Sequence, residues 1–299
     1  MAFATAKDGI RLYYEDIGSI DDIGNRVPLL FVHEFAGDHR SFEPQIRYFS
    51  RRYRCLTFAA RGYPPSDVPD DVERYGQKIA AADIVAVLDA AKVERAHIIG
   101  LSMGAFATLH AGLDFPERAR SLVLAGIGYG AEPERMAEFK QLSEEAAQAF
   151  EQQGSKAFAK TYGASAARVQ FQMKDPRGWQ DMVDGLAGHD PVGSANTMRG
   201  VQARRPSLYT LEDALKALDL PTLILCGDED DHTLQPGLFL KRSINASGLM
   251  VLPKTGHALN LEEPDLVNRT LAEFLAQVEA DRWMARDPRA DPNEIIKTK

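Results

Sequence analysis

Along the chain, short unbroken apolar runs alternate with longer stretches in which apolar residues recur every three or four positions. The runs Leu29–His33, Cys55–Ala59, His97–Gly100, Leu122–Ala125, Thr222–Cys226 and Leu249–Leu252 predict strands buried on both faces. The stretches Phe3–Ala6 and Ile10–Glu15 flank Asp8-Gly9 and predict an antiparallel hairpin. Ala80, Ile84, Val87, Leu88 and Ala91 mark one face of a helix. Val267, Leu271, Phe274, Leu275 and Val278 mark another, with Pro264 suited to its first turn. Strands separated by helical stretches predict an α/β fold around a mostly parallel sheet with helices on both faces.

One segment interrupts this alternation. From Ala131 to Leu211 the pattern is helical, carries Phe139, Phe150, Phe158, Tyr162, Phe171 and Trp179, and contains no strand run. That is too long for a plain connection, so it predicts a helical cap inserted over the carboxyl edge of the sheet. The expected organisation is a core of residues 1–130 and 212–280, a cap of 131–211 and a polar C-terminal extension of 281–299. Most of the cap's aromatic residues are expected to pack among its helices; Phe139 and Trp179 are open candidates for substrate contact.

Composition changes this picture little. The chain of 299 residues is 44% hydrophobic and 26% charged, with a formal net charge of −8. The acidic balance gives no attraction toward nucleic acid or an anionic membrane, and no apolar stretch is long enough to span a bilayer. The N-terminus lacks the basic and apolar regions of a secretory signal, so a cytoplasmic protein is expected. Cys55 and Cys226 lie in strand runs and are expected to be reduced and packed. No cluster with metal-ligand spacing is evident, and neither a metal nor an organic cofactor is expected. A homodimer is compatible with the sequence, which leaves the oligomeric state open.

The chemistry concentrates in Gly100-Leu101-Ser102-Met103-Gly104, between a strand run and a helical pattern carried by Met103, Phe106, His110 and Leu113. A serine on a sharp strand-to-helix turn needs small residues two positions to either side, which explains the two glycines. The turn exposes the hydroxyl at a helix N-terminus, where backbone N–H groups can stabilise an oxyanion. A serine hydroxyl needs a base held by a third group. His257, in a loop following the Leu249–Leu252 run, is the candidate base. Asp228, Glu229, Asp230 and Asp231, after the Thr222–Cys226 run, are candidates for the acid. The order Ser…Asp…His is the one this kind of fold uses.

With these residues in view, the chain resembles the α/β-hydrolase superfamily from about residue 5 to 280. The resemblance is carried by HEFAGDHRSFEPQ at 33–45, ARGYPPSD at 60–67, GLSMG at 100–104, PTLILCGDEDD at 221–231 and GHALNLEEP at 256–264. It implies an eight-stranded sheet and selects Asp230 as the acid, ahead of Asp228 and Asp231. It also makes the N–H groups of Met103, which follows the nucleophile, and of Phe35, two places after His33, the oxyanion donors. This sequence departs from the pattern at Glu34, where glycine is usual. Glu34 is expected to be solvated or salt-bridged, the alternative being a part in substrate choice or water activation. A second departure, Ala59 two residues before Arg61, leaves Arg61 as a structural residue, and His33 is expected to position its loop.

The resemblance to capped esterases, enol-lactonases and haloperoxidases implies hydrolysis of a small-molecule ester or lactone through an acyl-enzyme, with Ser102, His257 and Asp230 as the triad. Carbon–carbon or amide bond hydrolysis, or non-catalytic binding of a small ligand, are the alternative readings.

Overall fold

The computed structural model describes residues 2–18, 26–290 and 296. Eight strands form one sheet: β1 (Ala2–Thr5), β2 (Arg11–Ile17), β3 (Leu29–Val32), β4 (Cys55–Phe58), β5 (Ala96–Leu101), β6 (Ala119–Ala125), β7 (Thr222–Gly227) and β8 (Ser247–Leu252). Their order is β1-β2-β4-β3-β5-β6-β7-β8. β1 and β2 pair antiparallel, as do β2 and β4, whereas every pairing from β4 to β8 is parallel. The helices are α1 (Glu43–Phe49), α2 (Gln77–Ala90), α3 (Met103–Asp114), α4 (Met136–Gln153), α5 (Ser155–Gly163), α6 (Val169–Lys174), α7 (Pro176–Ala187), α8 (Pro191–Thr197), α9 (Glu212–Ala217), α10 (Asp231–Ser243), α11 (Leu259–Glu262) and α12 (Pro264–Glu279).

Alternation along the strands builds two cores. Leu29 and Phe31 of β3 pack with Phe49 of α1 and with Leu271, Phe274 and Leu275 of α12. Leu30 and Val32 face the other way, into Ile84, Val87 and Leu88 of α2 and Phe106 of α3. Both cysteines are free and buried, and burial pushes each thiol up to about 12. A third cluster joins the helices between β6 and β7 to the sheet's loops. In it, Phe150, Phe171, Met182 and Leu186 pack with Phe35, Tyr63 and Met103.

The connections after β3 and β5 run to opposite sides, so the strand order reverses between these neighbours. A crevice opens beyond the carboxyl ends of strands at such a reversal, and ligands of open α/β sheets gather there. β3 delivers His33-Glu34-Phe35 to that rim and β5 delivers Ser102.

The departures from the sequence pattern have local reasons. β8 starts at Ser247, ahead of its apolar run, because β7 pairs with it from Thr222–Ser247 onward. α10 was not signalled by the sequence: Pro236 lies inside it, a residue that ordinarily breaks a helix. The predicted extension starts firmly attached, since Trp283 packs edge-on against Phe274 and its Nε1 donates to the Ala246 carbonyl at 2.9 Å. Residues 291–295 and 297–299 of that extension lie outside the described residues.

Gly104 of α3 is packed so tightly that an added methyl would sit 2.6 Å from the His33 carbonyl oxygen and closer still to that of Val32. Gly185, inside α7, has open space around the same position. Gly104→Ala is therefore expected to lower stability by several kcal/mol. Gly185→Ala should be neutral or stabilising by up to about 1 kcal/mol through helix propensity. Urea unfolding of the two variants checks both signs.

Candidate active site

Ser102 caps the N-terminus of α3 with φ 54° and ψ −115°, in the region that L-residues rarely occupy. Its N–H donates to the Ala125 carbonyl at 2.8 Å, anchoring the turn to the end of β6. A methyl at Gly100 would sit 2.5 Å from the Gly104 carbonyl carbon, so the two glycines allow the chain to fold back on itself. Such strain persists only where the surroundings hold it, and here β3, β6 and α3 do so.

The acid loop distributes its four carboxylates unequally. The Asp228 carboxylate accepts from the Thr255 N–H at 3.1 Å, and Glu229 pairs with Lys254 at 3.0 Å and with Gln170. Asp231 starts α10. Asp230 alone among the four meets the histidine: His257 Nδ1 lies 2.6 Å from its Oδ2. Its other oxygen accepts from the Tyr129 hydroxyl at 2.8 Å. Burial pushes the Asp230 carboxyl up, but His257 and the Tyr129 hydroxyl outweigh it and hold the group below its ordinary range.

His257 is held from every side. Its N–H donates to the Ala167 carbonyl at 3.0 Å. Glu262 accepts from the N–H groups on either side, Gly256 at 2.7 Å and Ala258 at 3.1 Å, so one carboxylate clasps the loop around the imidazole. The ring lies edge-on to Tyr129 with centroids 4.9 Å apart. Gly126 leaves space for it, since a methyl there would stand 3.3 Å from Cε1. The glycine at 256 serves close approach: a methyl would sit 2.6 Å from the Ala167 oxygen.

Glu34 is buried, and both its oxygens pair with Arg168, Oε1 to Nη1 at 2.9 Å and Oε2 to Nη2. Arg168 is itself 1% exposed and donates to the Tyr162 hydroxyl at 3.0 Å. The substituted loop position is thus a salt bridge to the helical segment, with Glu34 Oε2 also 4.0 Å from His257 Nε2. Burial pushes the Glu34 carboxyl up, but Arg168 more than offsets this and holds it below its ordinary value. His33 Nε2 accepts from the Ala60 N–H at 3.0 Å while Nδ1 lies 2.7 Å from the Glu34 carbonyl, which ties two loops together. Arg61 is buried in a network with Asp83, Asp8 and the Arg74 carbonyl.

These residues border a cleft of about 350 Å³, open to solvent, lined by Ser102 and His257 together with Phe35, Tyr129, Phe139 and Arg205. Phe139 therefore reaches the cleft. Trp179 packs among the helices instead, its Nε1 donating to the Gly163 carbonyl at 2.8 Å. The N–H groups of Phe35 and Met103 have no acceptor among the described residues. Ser102 and His257 share the cleft without a direct hydrogen bond between their side chains. Such contacts commonly tighten when substrate is bound.

Tyr129, Arg168 and Glu262 escaped the sequence analysis. Tyr129 follows β6 at the rim and Glu262 stands in GHALNLEEP, so position alone could have signalled both. Arg168 lies in an irregular turn without any periodic signal.

Arg168→Met would strand the Glu34 carboxylate in the interior, at an expected cost of about 3–5 kcal/mol. Replacing both by Met should cost less than the sum of the single changes, because no charge is left unpaired. The pH dependence gives the sign. In the unchanged protein Glu34 contributes stability present above its ordinary value of 4.5 and lost as pH falls through its lower folded value. Without Arg168, burial, the largest influence on the group, is opposed only by the neighbouring His257 and His33 and raises it, so the variant's deficit should shrink on acidification. Urea unfolding from pH 4 to 8 measures both effects.

Residues 27–264 match the family described as alpha/beta hydrolase fold. The chain is 24% identical over 256 residues to 3-oxoadipate enol-lactonase 1 of Acinetobacter baylyi, covering 85% of this chain and 91% of that one. It is 25% identical over 271 residues to the 2-hydroxy-6-oxononadienedioate/2-hydroxy-6-oxononatrienedioate hydrolase of Comamonas testosteroni, covering 86% and 90%. A thermophilic esterase from Thermogutta terrifontis superposes with a TM-score of 0.81 at 23% identity, over 93% of this chain and 98% of that one. Family match, strand order and structural likeness agree: the chain belongs to the α/β-hydrolase family.

Proposed function

We propose that the protein hydrolyses small-molecule carboxylic esters or lactones through an acyl-enzyme on Ser102. The observation that carries this is the buried contact of His257 Nδ1 with Asp230 Oδ2 at 2.6 Å, in a histidine that shares its cleft with Ser102. A carboxylate at Nδ1 fixes the tautomer in which Nε2 is the free base.

In this mechanism Ser102 Oγ attacks the acyl carbon while His257 Nε2 takes its proton. Asp230 stabilises the resulting imidazolium, and the Phe35 and Met103 N–H groups donate to the oxyanion. The imidazolium then protonates the leaving alkoxide. Water, deprotonated by the same imidazole, releases the acid and restores the serine. Tyr129 and Glu262 act by positioning, the first on Asp230 and the second on the His257 loop. The helices between residues 131 and 211 serve as the cap that closes over the substrate. The enol-lactonase and esterase relatives support ester and lactone bonds as the substrate class.

Release of 4-nitrophenol from 4-nitrophenyl acetate tests the proposal. Ser102→Ala should abolish turnover. Asp230→Asn should lower kcat by roughly four orders of magnitude, the effect seen when the orienting carboxylate of a serine triad becomes an amide. Full activity in Ser102→Ala would refute the mechanism.

A further inference from the structure

The cleft holds two buried arginines in different electrostatic states. Arg168 is neutralised by Glu34. Arg205, which is 6% exposed and also lines the cleft, has no carboxylate partner among the described residues. Its Nη1 donates to the Gln202 Oε1 at 2.5 Å and its Nη2 to the Tyr129 carbonyl, whereas its buried Nε has no acceptor. Two rings lie against the guanidinium, Phe106 with its centroid 3.9 Å from Cζ and Phe139 at 4.6 Å.

A buried cation without a counter-charge is costly, and such groups are normally paired. Burial draws the Arg205 guanidinium down to about 9, with no nearby carboxylate to oppose it. The aromatic rings and the two neutral acceptors compensate only part of the charge. Position makes the imbalance informative. Phe106 lies one helical turn beyond Ser102, and the Tyr129 that accepts from Arg205 also donates to Asp230. The unpaired cation is therefore built onto the elements that carry the reacting groups.

From this arrangement we propose that Arg205 forms a carboxylate-binding subsite, so that the preferred substrate is an ester or lactone carrying a free carboxylate away from the bond cleaved. One guanidinium balances one negative charge and presents a planar fork to a carboxylate. A phosphate dianion would leave a charge unbalanced in a cleft also lined by Glu229 and Asp231. The kinetic form of this inference rests on the hydrolase reading above.

The test compares mono(4-nitrophenyl) adipate and suberate with the same esters capped as methyl diesters, following nitrophenol release. In wild-type protein kcat/KM for at least one free acid should exceed that of its capped partner by about tenfold or more. Arg205 also holds the Tyr129 carbonyl, so its loss is expected to slow both esters, and the ratio between them isolates the subsite. Arg205→Met should bring that ratio close to one, mainly through KM of the free acid, and Arg205→Lys should keep part of it. Equal or better cleavage of the capped diesters by wild type would overturn the subsite while leaving the serine mechanism intact. So would a preference that survives in Arg205→Met or, should that variant not fold, undiminished in Arg205→Lys. If neither ester is cleaved, turnover of 4-nitrophenyl acetate decides the hydrolase reading, which fails if that ester is not cleaved either. Calorimetric titration with adipate then decides the subsite alone: binding by wild type that weakens at least tenfold in the Arg205 variant supports it, and no binding overturns it.

Discussion

The whole site depends on how closely backbones approach one another at the carboxyl rim of the sheet. β3, β5, β6 and β7 end there, and the turns after them interlock at distances that leave no room for a side chain. Gly104 lies against the carbonyls of Val32 and His33, Gly227 against those of Thr255 and Gly256, and Gly256 against that of Ala167. Each contact joins segments far apart in sequence, so the strained turn at Ser102 cannot relax without moving several others. Interiors packed this densely transmit such displacements, which gives the serine a fixed location relative to the histidine loop.

Charge is organised on the same rim. Asp230, Glu34 and Glu262 are all buried, and each is satisfied by a different kind of partner: an imidazole with a phenol, a guanidinium, and two backbone N–H groups. The helical segment contributes directly, through the Arg168 side chain on Glu34 and the Ala167 carbonyl on the His257 N–H. Opening that segment would therefore break a buried ion pair and loosen the histidine loop together. Arg205 is the exception to this pattern of pairing, and its place in the cleft gives the exception a chemical direction.

Much of this was legible in the sequence because it is encoded locally. The buried strands declare themselves as apolar runs, and GLSMG encodes a turn whose sterics demand its two glycines. What was not legible depends on contacts between distant segments. Glu34 gave no sign of its partner, since Arg168 stands 134 positions away in an irregular turn. The four acids of the 228–231 loop are indistinguishable by composition, and the resemblance singled out Asp230; the structure brings that carboxylate to His257. α10 was hidden by its internal proline, and the close approach of Gly256 to the Ala167 carbonyl leaves no trace in the sequence.

The central claim is that two remote side chains, His257 and Asp230, make Ser102 unusually nucleophilic. Labelling with a fluorophosphonate, read by intact mass and peptide mapping, addresses it most directly. The account predicts one adduct per chain, located on Ser102, forming far more slowly when His257 is replaced by Gln. An adduct on another residue, or an unchanged labelling rate in His257→Gln, would contradict it.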